Sequence, residues 1–164
     1  MFCVRFPFTW SDGSLCRRAG YPARGRTATS AGACVPNAIS TGWIVGALIA
    51  FLIKHLFADF FLQTSWMAYG KERENGWVAP LTVHVAVHAA STALIFYLWA
   101  PAYIWIAAVD FAIHFAIDRS KGVAGRALNA DPTKTSFWWL IGIDQTLHHL
   151  THLGFALLIA IVRS

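Results

Sequence analysis

The sequence predicts an all-α fold: a polytopic membrane protein whose four helices form an up-down transmembrane bundle behind a disordered N-terminal tail. Three observations predict it. Hydrophobic residues make up 57% of the 164-residue chain and charged ones only 13%, a balance more apolar and less charged than an ordinary soluble domain. The apolar residues gather in four stretches, 43–66, 79–100, 102–118 and 137–162, each close to the ~20 helical residues that cross a hydrocarbon core. Trp43, Trp66, Trp77, Trp99, Trp105, Trp138 and Trp139 stand near the ends of those stretches, where amphipathic rings favour the membrane interface.

Residues 1–40 read as a basic tail, disordered or lying upstream of the true start, and 41–164 as the four-span domain. The tail is rich in Gly, Pro, Ser, Thr and Arg and shows no amphipathic period, a composition that cannot bury enough apolar surface to fold. It carries Arg5, Arg17, Arg18, Arg24 and Arg26 against Asp12 alone, so most of the formal charge of +5 resides there. No basic stripe with interleaved aromatics exists elsewhere, which leaves nucleic-acid binding without support. Cys3, Cys16 and Cys34 all fall in the tail, and an odd number there supports neither a disulfide framework nor a metal site.

The first helix begins at Ser40 or Thr41, both good N-cap types, and runs from Trp43 to Leu62. A polar cluster between Tyr69 and Pro80 forms the next loop, and Pro80 suits the first turn of the second helix, where its missing N–H costs little. Pro101 makes a tight connection to the third helix, and Arg119–Ser136, with Gly122, Gly125 and Pro132, reads as the longest internal loop. Short connections favour antiparallel neighbours.

Within this apolar frame the ionisable residues are ordered. His55 and Asp59, His84 and His88, His114 and Asp118, and Asp144 and His148 are each four positions apart, so each pair projects from one helix face. In an alternating bundle the four pairs reach the same side of the membrane. Charged and ionisable groups are costly in lipid and mark functional sites there. Five imidazoles and three carboxylates together suit a divalent transition metal such as zinc, manganese, iron or nickel, and eight side chains are enough for two ions. Helical bundles build dimetal sites from such inward-facing pairs. Two metals would bridge a water and lower its pKa, with Asp59, Asp118 and Asp144 the candidate catalytic carboxylates. The bland alternative is polar glue between helices.

Around the pairs, Asp110 continues the third stripe and would support a ligand histidine. Gln63 and Gln145 could hydrogen-bond ligands or substrate. Lys71 and Lys121, just outside the helices on the site's side, would suit an anionic substrate group. Lys54 would snorkel or pair with a carboxylate such as Asp110. His152 extends the Asp144–His148 stripe and His149 points about 100° away from it; neither is counted among the ligands. Without the tail, the positive-inside rule turns the polar loops, which carry Lys71, Arg73, Arg119, Lys121, Arg126 and Lys134, toward the cytoplasm; with it, the comparison is a tie.

The run His55-Leu-Phe-Ala-Asp59-Phe-Phe-Leu-Gln63, followed by Trp66-Met-Ala and Lys71, resembles a domain-of-unknown-function family of small bacterial membrane proteins. His84-x3-His88, His114-Phe-Ala-Ile-Asp118 with Lys121, and Asp144-Gln145-x2-His148 extend the likeness over about 43–160. The tail has no counterpart, and His149 and His152 stand where that pattern has apolar residues. The resemblance implies residence in the bacterial inner membrane. The arrangement is also similar, more distantly, to inner-membrane proteins described as metal-dependent hydrolases, which implies hydrolysis without naming a substrate.

The expectation is therefore a membrane-embedded, metal-dependent hydrolase acting on a lipid or lipid-linked phosphoester, with the lipid bilayer as its surroundings and an oligomeric state the sequence leaves open. The alternatives are metal-ion or proton transport along the His/Asp stripe, haem held by paired histidines, and a purely structural bundle. The partnering of three histidines with aspartates argues against haem.

Overall fold

The computed structural model describes residues 39–164, so the expectation for the tail lies outside the described residues, apart from its last two. Among the described residues every regular element is helical. Helix α1 (Thr41–Leu56) passes into a π-helical turn (Phe57–Phe61), followed by a short α2 (Ser65–Gly70), α3 (Val78–Trp99), a 3-10 turn (Pro101–Tyr103), α4 (Ile106–Ala127) and α5 (Thr135–Arg163). As anticipated, Ser40 is the N-cap of α1 and Pro80 sits in the first turn of α3. Thr64 caps α2, its hydroxyl accepting from the Met67 N–H at 3.3 Å, which satisfies one of the free donors of a helix start.

Two boundaries differ from the sequence expectation. The first helix does not continue regularly to Leu62; it widens into the π turn around Asp59, a local insertion of the kind often found at functional sites. Helix α4 does not stop near Asp118 but runs nine residues further, so His114 and Asp118 are interior to it. The extension holds because Gly122 continues the buried row Ile106, Asp110, His114, Asp118, while the Arg126 guanidinium donates to the carbonyls of Glu72 and Arg73. The helix ends only at Asn129, which has φ 45°. Its N–H bonds to the Arg126 carbonyl and that of Ala130 to Gly125, the paired C-terminal closure that a left-handed residue permits.

Three helical stretches, Thr41–Phe61, Val78–Trp99 and Thr135–Arg163, are long and apolar enough to cross a membrane. Helix α4 has comparable length but carries Asp110, Asp118, Arg119, Lys121 and Arg126, which lower its apolarity. Helix α1 packs on α5 and α3, and α4 on α3 and α5. The outward faces are apolar: Phe60, Phe61, Leu94, Trp139, Ile143 and Leu150 are all exposed. The inward faces change along their length. At one end Ala47, Phe51, Phe96, Ile106, Phe155 and Ile159 form a single apolar cluster. At the other, the same faces carry histidine, aspartate and lysine.

Candidate functional site

The site begins with helical arithmetic. Inward positions recur every three or four residues, and four elements spend those positions on ionisable groups: Lys54, His55 and Asp59 from α1 and its π turn; His84 and His88 from α3; Asp110, His114 and Asp118 from α4; Asp144, His148 and His152 from α5. His88, Asp110 and His114 are wholly inaccessible, each with 0% exposure. All eight ligands named from the sequence come together here.

Asp59 is one focus. Its carboxylate lies 3.0 Å from His55 Nε2, 3.1 Å from His88 Nε2 and 3.4 Å from His84 Nε2. Asp118 is the other, with His84 Nε2 at 3.4 Å from its Oδ2 and the Lys71 ammonium donating to Oδ1 at 3.1 Å. His84 thus stands between two carboxylates. The expected His114–Asp118 partnership is replaced: His114 Nδ1 lies 3.0 Å from Asp110 Oδ1, out of line for a hydrogen bond, and its ring lies between those of His88 and His148, with centroids at 4.4 and 4.3 Å. Asp144 approaches Lys121 at 3.9 Å and accepts from the Gln145 amide at 3.2 Å. Gln145 also meets His55 Nε2 at 3.1 Å.

His148 fixes its own tautomer. Its Nδ1 is 2.9 Å from the Asp144 carbonyl, and a carbonyl can only accept, so Nδ1 carries the proton and Nε2 presents its lone pair. That orientation, one ring nitrogen tied to a backbone carbonyl and the other left free, is the usual arrangement of a metal-ligating histidine. His152, buried though the sequence reading set it aside, holds the same tautomer, but its accepting nitrogen is already taken. Lys54 reaches its Nε2 at 3.2 Å, so that nitrogen accepts and Nδ1 holds the proton. His152 is therefore a partner of Lys54 before it is a ligand. The same ammonium donates to Asp110 at 3.1 Å, the pairing anticipated for Lys54. Asp110 also accepts from the Thr92 hydroxyl at 2.6 Å. His149 is exposed.

Three groups bring ligand atoms within 4.8 Å of one another and could hold a metal ion: His55, Asp59 and His88; Asp118, Asp144 and His148; and His55, His114 and His152. Tetrahedral zinc with ligands at 2.0–2.1 Å separates its donors by about 3.4 Å, close to the 3.0–3.4 Å spacings around Asp59. The buried polar atoms without hydrogen-bond partners fit as well. Nδ1 of His55, His84 and His88, Nε2 of His114 and His148, Asp118 Oδ2 and Asp144 Oδ1 are all among them. Buried polar atoms are normally satisfied; the free Nε2 of His114 and His148 and the free oxygens of Asp118 and Asp144 could take a cation, whereas His55, His84 and His88 turn Nε2 to Asp59 and leave Nδ1 without a partner.

A cavity of about 230 Å³ opens onto this centre, lined by Asp59, Gln63, Lys71, Lys121, Asp144 and Gln145 among others. The residues expected around the ligands thus do surround them, except Asp110, which lies deeper. Sequence reasoning missed Glu72, which also lines the cavity and meets Lys121 at 3.5 Å; its place in a polar loop gave no signal. Lys71 and Lys121 were both read as lying just outside the helices; Lys71 does follow α2, though it is buried, whereas Lys121 lies within α4 because that helix runs on past Asp118.

The family described as Protein of unknown function (DUF3307) matches residues 47–163. The chain belongs to this family. The match spans every ligand candidate and both cavity lysines, and its description assigns no activity. No match to the chain is found among curated proteins or solved structures.

Proposed function

We propose that the protein is a membrane-embedded, metal-dependent hydrolase with a dinuclear centre. The reading takes α4 as a fourth span that completes an up-down bundle, its charges turned inward and its short connections favouring antiparallel neighbours. One ion would be held by His55, Asp59 and His88 and the other by Asp118, Asp144 and His148, with His84 between the two carboxylate foci and the His114 ring between those of His88 and His148. The observation that carries this reading is the tautomer of His148: a ring nitrogen bonded to a backbone carbonyl, with its other nitrogen unpartnered and grouped with two carboxylates.

Divalent ions so held would polarise a phosphoryl or acyl oxygen and supply water of lowered pKa. The chain's own residues do the rest. Asp144, tied to Lys121 and Gln145 at the cavity edge, takes the proton of the attacking water and returns it to the leaving oxygen as the ester bond breaks. Lys71 and Lys121 neutralise an anionic group in the cavity. The site's place at one end of the helix cluster supports a lipid or lipid-linked phosphoester as substrate, and residence in the bacterial inner membrane is part of the same proposal. The test is metal analysis after mild, chelator-free purification, where the protein retains stoichiometric transition metal and Asp59→Ala or His88→Ala releases it. Protein without metal would defeat the reading.

Transport of a metal ion or proton is the second reading, favoured by one observation: Lys54, Asp110 and His152 carry the polar stripe deeper than the ligands. Beyond them the apolar cluster of Phe51, Phe96 and Phe155 closes the path. Ion flux in proteoliposomes would favour transport; its absence favours hydrolysis.

A further inference from the structure

The cavity over the metal centre does not stand alone. Beside it, α4 and α5 leave an apolar groove of about 300 Å³, lined by Ala116, Ile117, Ala124, Ile143 and Leu147, with Lys121 and Asp144 on its edge. Those two residues also line the cavity over the ligands. Both spaces are therefore bounded by the Lys121–Asp144 pair, whose charged atoms are 3.9 Å apart. One space is apolar and faces the hydrophobic exterior, where Ile143 and Leu147 are exposed. The other is polar, with the ammonium groups of Lys71 and Lys121.

A water-soluble phosphate would use the cavity and leave the groove idle. A neutral lipid would use the groove and bring no charge to the proposed ions or to Lys71 and Lys121, whose partners within the protein are Asp118, Glu72 and Asp144. An anionic amphiphile matches both, its chain along the groove and its charge against the proposed ions with Lys71 and Lys121 beside them; the ions are needed because Asp59, Glu72, Asp118 and Asp144 outnumber the two lysines around the cavity. The depth also agrees: the groove occupies the same turns of α4 and α5 as Asp118, Asp144 and His148.

We propose that the substrate is a single-headed anionic amphiphile, a lipid phosphate, which enters sideways from the bilayer between α4 and α5. Its chain lies against Ala116, Ile117 and Leu147, and its phosphate passes Lys121 to reach the metal centre. This rests on the hydrolase reading for the metal ions that would make the cavity attract an anion.

The experiment measures binding of tail-labelled phosphatidic acid to the purified full chain in detergent, with phosphatidylcholine of the same chains and glycerol 3-phosphate as comparisons. Metal is quantified in every sample. Phosphatidic acid should bind at least tenfold more tightly than either comparison, by roughly the ~1.4 kcal/mol that a tenfold ratio represents. Ala116→Trp, which fills the groove from an exposed position, should weaken phosphatidic acid about tenfold while metal content and glycerol 3-phosphate binding stay unchanged. Lys121→Gln should abolish the preference over phosphatidylcholine. Equal binding of the two lipids, glycerol 3-phosphate binding as well as phosphatidic acid, or an Ala116→Trp variant that binds as tightly as the parent would each overturn the proposal. Protein that holds metal but shows no phosphatidic acid selectivity would overturn this inference and leave the metal centre standing, whereas protein that holds no metal would defeat the hydrolase reading.

Discussion

At one end of the helix cluster the inward positions are Phe51, Phe96, Phe155 and Ile159; a few turns along the same faces they are His55, His88, His148 and Asp118. Backbone and packing partners are shared, and only the chemistry of the inward residues changes. The apolar end uses the ordinary means of close packing, with Phe51 and Phe96 ring centroids 6.3 Å apart and Phe155 against both. The polar end gives up that packing for groups whose burial is costly unless each is paired or coordinated. Between them lies a layer in which Lys54, Thr92, Asp110 and His152 hydrogen-bond to one another. The contrast teaches that stability and chemistry are separated along the helix axes, so substitutions should divide into two classes.

The widest separation is expected from the ligands. Asp59→Ala should cost the protein nearly all of its retained metal, read by elemental analysis, while the metal-free protein melts close to the metal-free parent. Phe96→Ala should do the reverse. Truncating a buried Phe costs about 3–5 kcal/mol, so its melting temperature should fall sharply, with the metal-to-folded-protein ratio unchanged. If Phe96→Ala lost metal as completely as Asp59→Ala, the two ends would not be separate.

The intermediate layer gives the next effect. Asp110→Asn leaves the Lys54 ammonium without its carboxylate, and breaking a buried pair costs about 3–5 kcal/mol. Joint replacement, Lys54→Met with Asp110→Leu, should restore much of that stability, since apolar residues of similar volume often substitute for a buried pair without loss. Because Asp110 also lies beside His114, metal affinity in the double variant should still fall about 10–100-fold, the usual result of losing support behind a ligand. Recovered stability together with full affinity would show that the layer only packs.

The smallest effect lies outside the cluster. Asp131 accepts from the Thr133 N–H at 3.0 Å and pairs with Lys134. The Thr133 hydroxyl and N–H bonds, then Lys134, hold its carboxyl below the ordinary value of 3.8. A depressed carboxylate pKa stabilises the fold above the ordinary value and ceases to do so as pH falls through the folded one. Acidification below about pH 4 should therefore loosen the turn before α5, seen as faster exchange of the Thr133 amide once intrinsic rates are corrected, with no change at pH 6–8.

Much of the site was legible because helical spacing is a strong constraint: the His/His and His/Asp pairs needed only a period near four and an apolar background to be placed together. The partnerships between helices were not legible. That His84 rather than His114 faces Asp118 depends on the relative rotation of α3 and α4, which sequence spacing does not encode. The π turn at Asp59 escaped because an inserted residue leaves no compositional mark among Phe57, Phe60 and Phe61. Helix α4 was cut short because Gly122 and Gly125 read as loop residues, whereas Arg126 and the carbonyls of Glu72 and Arg73 hold the helix on. His152 was set aside for breaking a resemblance, although it continued the Asp144–His148 stripe; its partner Lys54 was the available signal.

The central claim is that the His/Asp end of the cluster is a metal centre rather than a hydrogen-bonded core. Elemental analysis of full-length protein purified without chelator or affinity metal tests it most directly, with Asp59→Ala purified alongside. The account predicts about two transition-metal ions per chain in the parent, as a two-ion site requires, and at most a trace in the variant. Metal-free parent protein that neither binds added zinc or manganese nor melts at a higher temperature in their presence would contradict it.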